Sequence, residues 1–417
     1  MKASKAKTKF HFKQYFMAIA LLAIILVFAI LTEGKILKPM NVSNIIFQNS
    51  YVVILGVGML LCILTGGNID LSVGSIVALV GACAGEMLVT NHGNPYLAML
   101  VCLLIGTVCG AWQAFWIAYV KIPPFIVTLS GMLVFRGLTL LILNGLTLAP
   151  FPEDFLKFST GYIPSFGAEK IALFGTQFDL LSVLVALLSI VGFAGYSLAS
   201  RAKKIRKGYH VESLANVIVK VVLLSVAVAW FFLTVGQFRG IPTVLIVIGI
   251  VVIAYGFFTN SVVQGRYLYS MGGNMKAAKL SGIKTERMMF FAYTNMGFLA
   301  GLAGLVFAAR LNSASPQSGL NFELDAIGAC FIGGASAYGG VGTVSGTVIG
   351  ALIFGVLNNG MSIMGINSNV QQIVKGLVLL GAVAFDVMGK MNLSQHFGHF
   401  TKKISQYFSQ LRKKHAH

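Results

Sequence analysis

The sequence predicts an all-α integral membrane protein with about 10–12 transmembrane helices. Three observations carry this. Of the 417 residues, 57% are hydrophobic and only 10% charged, against roughly 45–50% and about 25% in a soluble domain. The apolar residues gather into runs of the ~20 residues that a helix needs to cross ~30 Å of hydrocarbon. The basic residues, 31 against 12 acidic, lie mostly between those runs. A net charge of +19 would suggest nucleic acid in a soluble chain. Placed this way it reads as topology, with a lipid bilayer rather than a nucleic acid as the partner.

Taken in order, the basic stretch 1–14 is a cytoplasmic N-terminal tail. Span 15–31 follows it without a small-residue cleavage site, so it reads as a retained helix rather than a signal peptide. Span 45–64 ends at Thr65-Gly66-Gly67-Asn68-Ile69-Asp70. Span 73–90 begins just beyond and contains Glu86, so the chain is expected to be broken or re-entrant near 65–75. Spans 96–120 and 125–148 flank Pro123-Pro124, and proline is tolerated at a helix start because the first amide has no internal partner. Residues 149–178 form a long external loop. Spans 179–199 and 214–235 are separated by the basic stretch 201–207, and spans 241–260 and 288–310 by the cytoplasmic segment 264–287. Span 324–338 is short and glycine-rich, a second candidate re-entrant region extending to 342. Spans 342–363 and 369–388 complete a transmembrane domain over 15–388, and 389–417 is a basic cytoplasmic tail.

With twelve spans both termini share one side. That side carries twenty-three Lys and Arg, and the opposite loops carry five: Lys35, Lys38, Lys157, Lys170 and Arg239. Short cytoplasmic loops retain Lys and Arg, so both termini are expected in the cytoplasm. The remaining three, Arg136, Arg310 and Lys375, lie in or at the ends of spans. The five cysteines all lie within apolar runs, where a free thiol behaves as a small hydrophobe. No metal site or catalytic residue is indicated.

Polar residues at membrane depth are costly and mark function. Asn68, Asp70 and Ser72 interrupt two apolar runs, as a broken helix beside a pathway does. Asp70 is also placed to cap the following helix. Arg136 lies in the span that opens with Pro124-Phe125-Ile126-Val127-Thr128, and Asp70 and Glu86 are its candidate partners, an interfacial position being the alternative. Glu323 and Asp325 read either as a docking surface or as solvated loop residues. Lys375 reads as interior-facing, and Asp386 as a residue near the cytoplasmic end of its span. In 264–287, Asn274 can start a helix and Gly282 end one, which leaves a short exposed helix carrying Ala277 and Ala278 with no core to bury in. Gly333 to Gly346 superficially resembles a phosphate-cradling loop, but Gly-Lys-Ser/Thr occurs nowhere in the chain. Gly342, Gly346 and Gly350, like Gly297 and Gly301, repeat every four residues and mark faces for close helix packing.

Together, Gly66 to Ser75, Pro124 to Met132 with Arg136-Gly137, Gly272-Gly273-Asn274 with Ala277-Ala278 and Leu280-Ser281-Gly282-Ile283, and Gly333 to Gly346 closely resemble the ribose/xylose-type permeases of bacterial ABC sugar importers. The resemblance runs from about Asn44 to Asp386, and four motifs in this order make it specific. The stretch from about Arg201 to Arg239 resembles the extra pair of spans of the xylose and multiple-sugar type. Asn68 is a departure, standing where the family reads Gly-Gly-Ile-Asp.

The resemblance implies a non-enzymatic transport subunit in the bacterial inner membrane. It implies a second copy of the permease, a cytoplasmic ATPase pair that carries ATP and Mg, and an external sugar-binding protein that delivers a monosaccharide. No cofactor is expected in this chain. The family's coupling helix falls on Gly273, Asn274, Ala277, Ala278, Leu280, Ser281, Gly282 and Ile283. Asn68, Asp70, Ser72, Phe125, Thr128 and Arg136 are candidates to line the pathway. The alternatives are a branched-chain amino acid or nucleoside as cargo, or an ion-coupled secondary transporter, which leaves 264–287 unexplained.

Overall fold

The computed structural model describes residues 12–164, 170–173, 176–209, 211 and 213–390. Nearly all of both basic tails lies outside the described residues. The chain opens with α1 (Phe12–Leu31), then α2 (Pro39–Leu64), which starts on a proline. The next helix, α3 (Val73–Gly85), continues through a wider turn at Glu86–Thr90. Asn94 caps α4 (Pro95–Ala118) by accepting from the amides of Tyr96 and Leu97. Helix α5 (Pro124–Leu143) ends at Asn144 in the left-handed conformation. The external loop holds α6 (Glu153–Thr160) and an antiparallel pair, β1 (Ile171–Leu173) with β2 (Thr176–Phe178). Asp179 and Ser213 cap α7 (Leu180–Arg206) and α8 (Leu214–Phe238), and α9 (Val244–Ser261) follows.

After α10 (Val263–Gly273) and α11 (Met275–Leu280) comes α12 (Thr285–Leu311). The last three helices are α13 (Phe322–Ile332), α14 (Val344–Ile363), capped by Thr343, and α15 (Ser368–Lys390). Among the described residues ten helices are long and apolar enough to cross a membrane. The expected breaks are present. Residues 65–72 are non-helical, and α13 has only 11 residues, ~16 Å at 1.5 Å per residue and about half of the hydrocarbon thickness.

Helix α2 is the axis of the bundle: 83% of its most apolar stretch is buried, against 11% for α7 and 6% for α8. The α7–α8 hairpin is therefore peripheral to the bundle. Helix α12 packs on α4, α2 and α3. Its Gly297 lies directly against the backbone of Gly106 and Gly110 on α4, where any Cβ would overlap main-chain atoms. Backbone-to-backbone approach through small residues is how membrane helices gain contact when lipid removes the hydrophobic driving force. The Gly342, Gly346 and Gly350 repeat is shorter than its spacing suggested. Gly346 and Gly350 pack α14 against the end of α13, but Gly342 precedes the helix at φ 153, in the loop of residues 333–343. The glycine-rich loop must turn there before α14 can begin.

Candidate functional site: two interrupted helices and an exposed short helix

Residues 65–72 form a compact polar turn beneath α3. Asp70 is fully buried, and its Oδ1 accepts from the Ser72 amide at 2.9 Å and from the Ser72 hydroxyl at 2.7 Å. Gln113 of α4 donates to the same hydroxyl at 2.6 Å, which yields a chain Gln113 to Ser72 to Asp70. Asp70 therefore shapes the turn ahead of α3 instead of capping the helix itself, whose flanking residue is Ser72. Asn68 folds back, its amide donating to the Thr65 hydroxyl at 3.0 Å. The residue that departs from the family pattern thus closes the end of α2. On α5, Thr128 is buried while Phe125 is 55% exposed on the outside of the bundle.

Neither Asp70 nor Glu86 is seen to hold Arg136. The guanidinium donates through Nη1 to two main-chain carbonyls, Pro316 at 2.9 Å and Ser318 at 2.7 Å. Glu86 instead accepts from Thr90 and Asn91. A carbonyl pair satisfies an arginine without a direct ion pair, and sequence could not reveal it because main-chain acceptors carry no residue signature. Asp325, read as a loop or docking residue, is buried on α13. It accepts from Tyr51 of α2 at 2.9 Å and pairs with Lys375 of α15 at 2.9 Å. Tyr51 lies at the middle of α2, so α13 begins near mid-membrane. Gly74 at the start of α3 touches Gly319, three residues before α13. The starts of two interrupted helices thus meet inside the bundle.

The cytoplasmic segment is built as its caps required. Asn274 accepts from the Ala277 amide at 3.0 Å and starts α11. Gly282 at φ 86 ends it, with the Ile283 amide donating to the Ala278 carbonyl at 3.1 Å. Ala278 is buried and Ile283 half-buried beneath the helix. Ala277, Ser281 and Gly282 are exposed, and Leu280 is 90% exposed. Glu286 accepts from Lys279 at 2.8 Å and from Lys121 at 3.2 Å, which ties α11 to the start of α12 and to the α4–α5 turn. Both pairs are solvent-exposed and individually weak.

Three glycine motifs far apart in sequence meet just above α11. Gly272 lies against the amide of Gly340 and the carbonyl of Leu64, and Gly67 against the carbonyl of Ala337. The Gly340 amide donates to the Leu64 carbonyl at 3.2 Å, and Tyr269 donates to the Gly342 carbonyl at 2.9 Å. Burial pushes the Tyr269 phenol above its usual range. Asp386 is also part of this junction, since its carboxylate accepts from the Ala337 amide at 3.2 Å. It therefore braces the glycine-rich loop from α15 and is more than a residue at a span end. Gly273, one position from Gly272, faces open space.

Gln113, Tyr51 and Gly319 were missed by sequence reading. An amide inside an apolar run was the available signal for Gln113. Tyr51 and Gly319 had none, because a tyrosine and a glycine are ordinary in such company.

Two helices interrupted inside the bundle, joined to a short exposed helix through bare backbone, define a solute permease of the membrane. This chain belongs to the family described as branched-chain amino acid transport system / permease component, which matches residues 41–383. It is 37% identical over 379 residues to the xylose transport system permease protein XylH of Haemophilus influenzae, covering 91% of this chain and 97% of that one. Identity to XylH of Escherichia coli K12 is also 37%, over 89% of this chain and 91% of the relative. The ribose import permease protein RbsC of E. coli K12 is 36% identical over 83% and 85% of the two chains. No solved structure matches the chain.

Proposed function

We propose that this chain is the permease subunit of an ATP-driven importer of a monosaccharide of the xylose or ribose class, in the bacterial inner membrane with both termini cytoplasmic. Two copies form the pathway, an external binding protein delivers the sugar, and a cytoplasmic ATPase pair holds the ATP and Mg. The names of the relatives favour sugar over a branched-chain amino acid. A neutral polyol also needs no counter-charge, which suits a chain of which only 10% is charged, with most of those charges outside the apolar runs.

The carrying observation is the unbroken backbone contact from α11 through Gly272 and Gly340 to Gly66-Gly67. Leu280 stands out from α11 for a partner to grip, and α11 is seated on the protomer by Ala278 and Ile283. A push on α11 therefore reaches the turn of Asn68, Asp70 and Ser72 without passing through flexible side chains. That turn is the joint at which α2 and α3 can change their relative angle, which is how access would alternate.

The test is sugar uptake into proteoliposomes containing the permease, its ATPase and its binding protein. ATP-driven uptake of xylose or ribose, absent for leucine, is expected. Deleting residues 276–282 should abolish it while the protein remains inserted. Wild-type uptake by the deletion variant would sink the coupling role of α11, and uptake of leucine instead of sugar would overturn the cargo.

A further inference from the structure

We propose that residues 312–321 form the gate at the outer mouth of the pathway and that Arg136 is its latch. This rests on the permease reading above but on none of its claims about cargo. The segment is a distinct unit. Both of its ends, Asn312 at φ 52 and Asn321 at φ 64, adopt the left-handed conformation and turn the chain sharply. Helix α12, at 27 residues, completes a full crossing of ~40 Å, and α13 begins near the level of Tyr51. The ten residues between them therefore descend from the outer face to the middle of the bundle.

What holds the segment differs along its length. At its outer end, Ala314 and Leu148 exchange main-chain hydrogen bonds at 2.9 Å, and the Phe151 amide donates to the Asn312 side chain at 2.8 Å. These join it to the external loop that carries α6. At its inner end Gly319 lies on Gly74, covering the start of α3. Beyond that, α13 is anchored by the pairing of Asp325 with Lys375 and Tyr51. In the middle the polar grip is Arg136, whose two bonds go to the neutral carbonyls of Pro316 and Ser318.

That asymmetry gives the device its character. Opening a buried ion pair separates two charges in a medium of low dielectric. Releasing Arg136 from two carbonyls breaks no ion pair, since Glu323 attracts it without direct contact, and a half-buried guanidinium can move toward water on its long stem. The Asp325 end is therefore a fixed anchor and the Arg136 contact a releasable one. A change in the external loop, where a binding protein would dock, acts on the outer end of the segment. Release at Arg136 then lifts Gly319 from Gly74. Both bonds come from Nη1, so what a lysine lacks here is reach, its ammonium standing on a shorter side chain than the guanidinium tip.

The test reads the position of the segment directly. Ser318 is 9% exposed and contributes only its main-chain oxygen to the latch, so Ser318→Cys keeps the contact. In the full chain in proteoliposomes, a membrane-impermeant maleimide is applied from each side, with the five native cysteines measured in the parent as background. Slow labelling from outside is expected for Ser318→Cys alone. Adding Arg136→Met should speed it at least tenfold, and Arg136→Lys should fall between. Should Arg136→Met fail to insert, the Arg136→Lys comparison decides alone.

Equal rates with and without the latch, or labelling only from the inside, would overturn the proposal. So would parallel exposure of the buried Cys62 and Cys330, because that reports general loosening. Accelerated labelling in a protein that transports no sugar keeps the gate and discards the cargo.

Discussion

Lys375 on α15 donates to both carboxylate oxygens of Asp325 on α13, at 2.9 and 3.3 Å, while Tyr51 of α2 donates to one of them. Three helices that share no sequence neighbourhood are thus joined at one buried carboxylate. No residue in the apolar window of α15 is fully buried, so polar contacts, this one and the bond of Asp386 to Ala337, do much to place the helix.

Breaking one partner of this pair should destabilise the protein strongly, because it strands the other charge. Asp325→Asn or Lys375→Met should each cost on the order of 3 kcal/mol. The double variant should recover most of that loss. Thermal unfolding in detergent measures it, and additive single-variant losses would show that the two side chains do not act together.

Asp70→Asn should be tolerated better than Asp70→Ala. Asparagine retains an oxygen for the amide and hydroxyl of Ser72, whereas alanine leaves a buried amide unpaired at about 1–3 kcal/mol. ATP-driven uptake normalised to inserted protein is the readout. Equal loss in both variants would assign the role to the negative charge rather than to the turn.

Asn274→Ala removes the cap of α11 and should cost about 1 kcal/mol of local stability. A six-residue helix has little else to hold it, so uptake should fall while protein level is unchanged. Asn274→Asp, which still accepts from the Ala277 amide, should restore it. Failure of Asp to rescue would separate the function of Asn274 from capping.

Gly297→Ala and Gly249→Ala should differ in sign. A Cβ at Gly297 meets the backbone of α4, with no flexible atom to yield, while nothing lies within 4 Å of one at Gly249 on α9. The first should destabilise by about 1–3 kcal/mol through overpacking. The second should be neutral or gain up to about 1 kcal/mol from helix propensity. Melting temperatures in detergent distinguish them, and equal shifts would mean that α4 and α12 can move apart.

Much of the fold was legible because its signals are local. Apolar run length marked the spans, and Asn274 and Gly282 marked α11 to within a residue. The break after α2 and the half-length α13 were legible because glycine and polar residues interrupt apolar runs. The partners of Arg136, Asp325 and Lys375 were not legible. Arg136 found carbonyls, which every residue carries, and Asp325 found a lysine fifty positions away across the bundle. Asp386 likewise looked like an end-of-span residue until its bond to Ala337 was seen.

By itself, then, the sequence determined that the chain lives in a membrane, where its apolar runs and their breaks fall, and which motifs mark its family. Each of those follows from hydropathy, capping and turn chemistry acting over a few residues. Only the tertiary structure decided that the glycines at 66–67, 272 and 339–340 form one junction, that the starts of α3 and α13 meet, and that Arg136 holds the segment between α12 and α13. Those outcomes depend on which backbones approach closely enough to exclude side chains. Spacing can mark a face for such approach, as at Gly297 and Gly301, but it does not say which backbone comes to meet it.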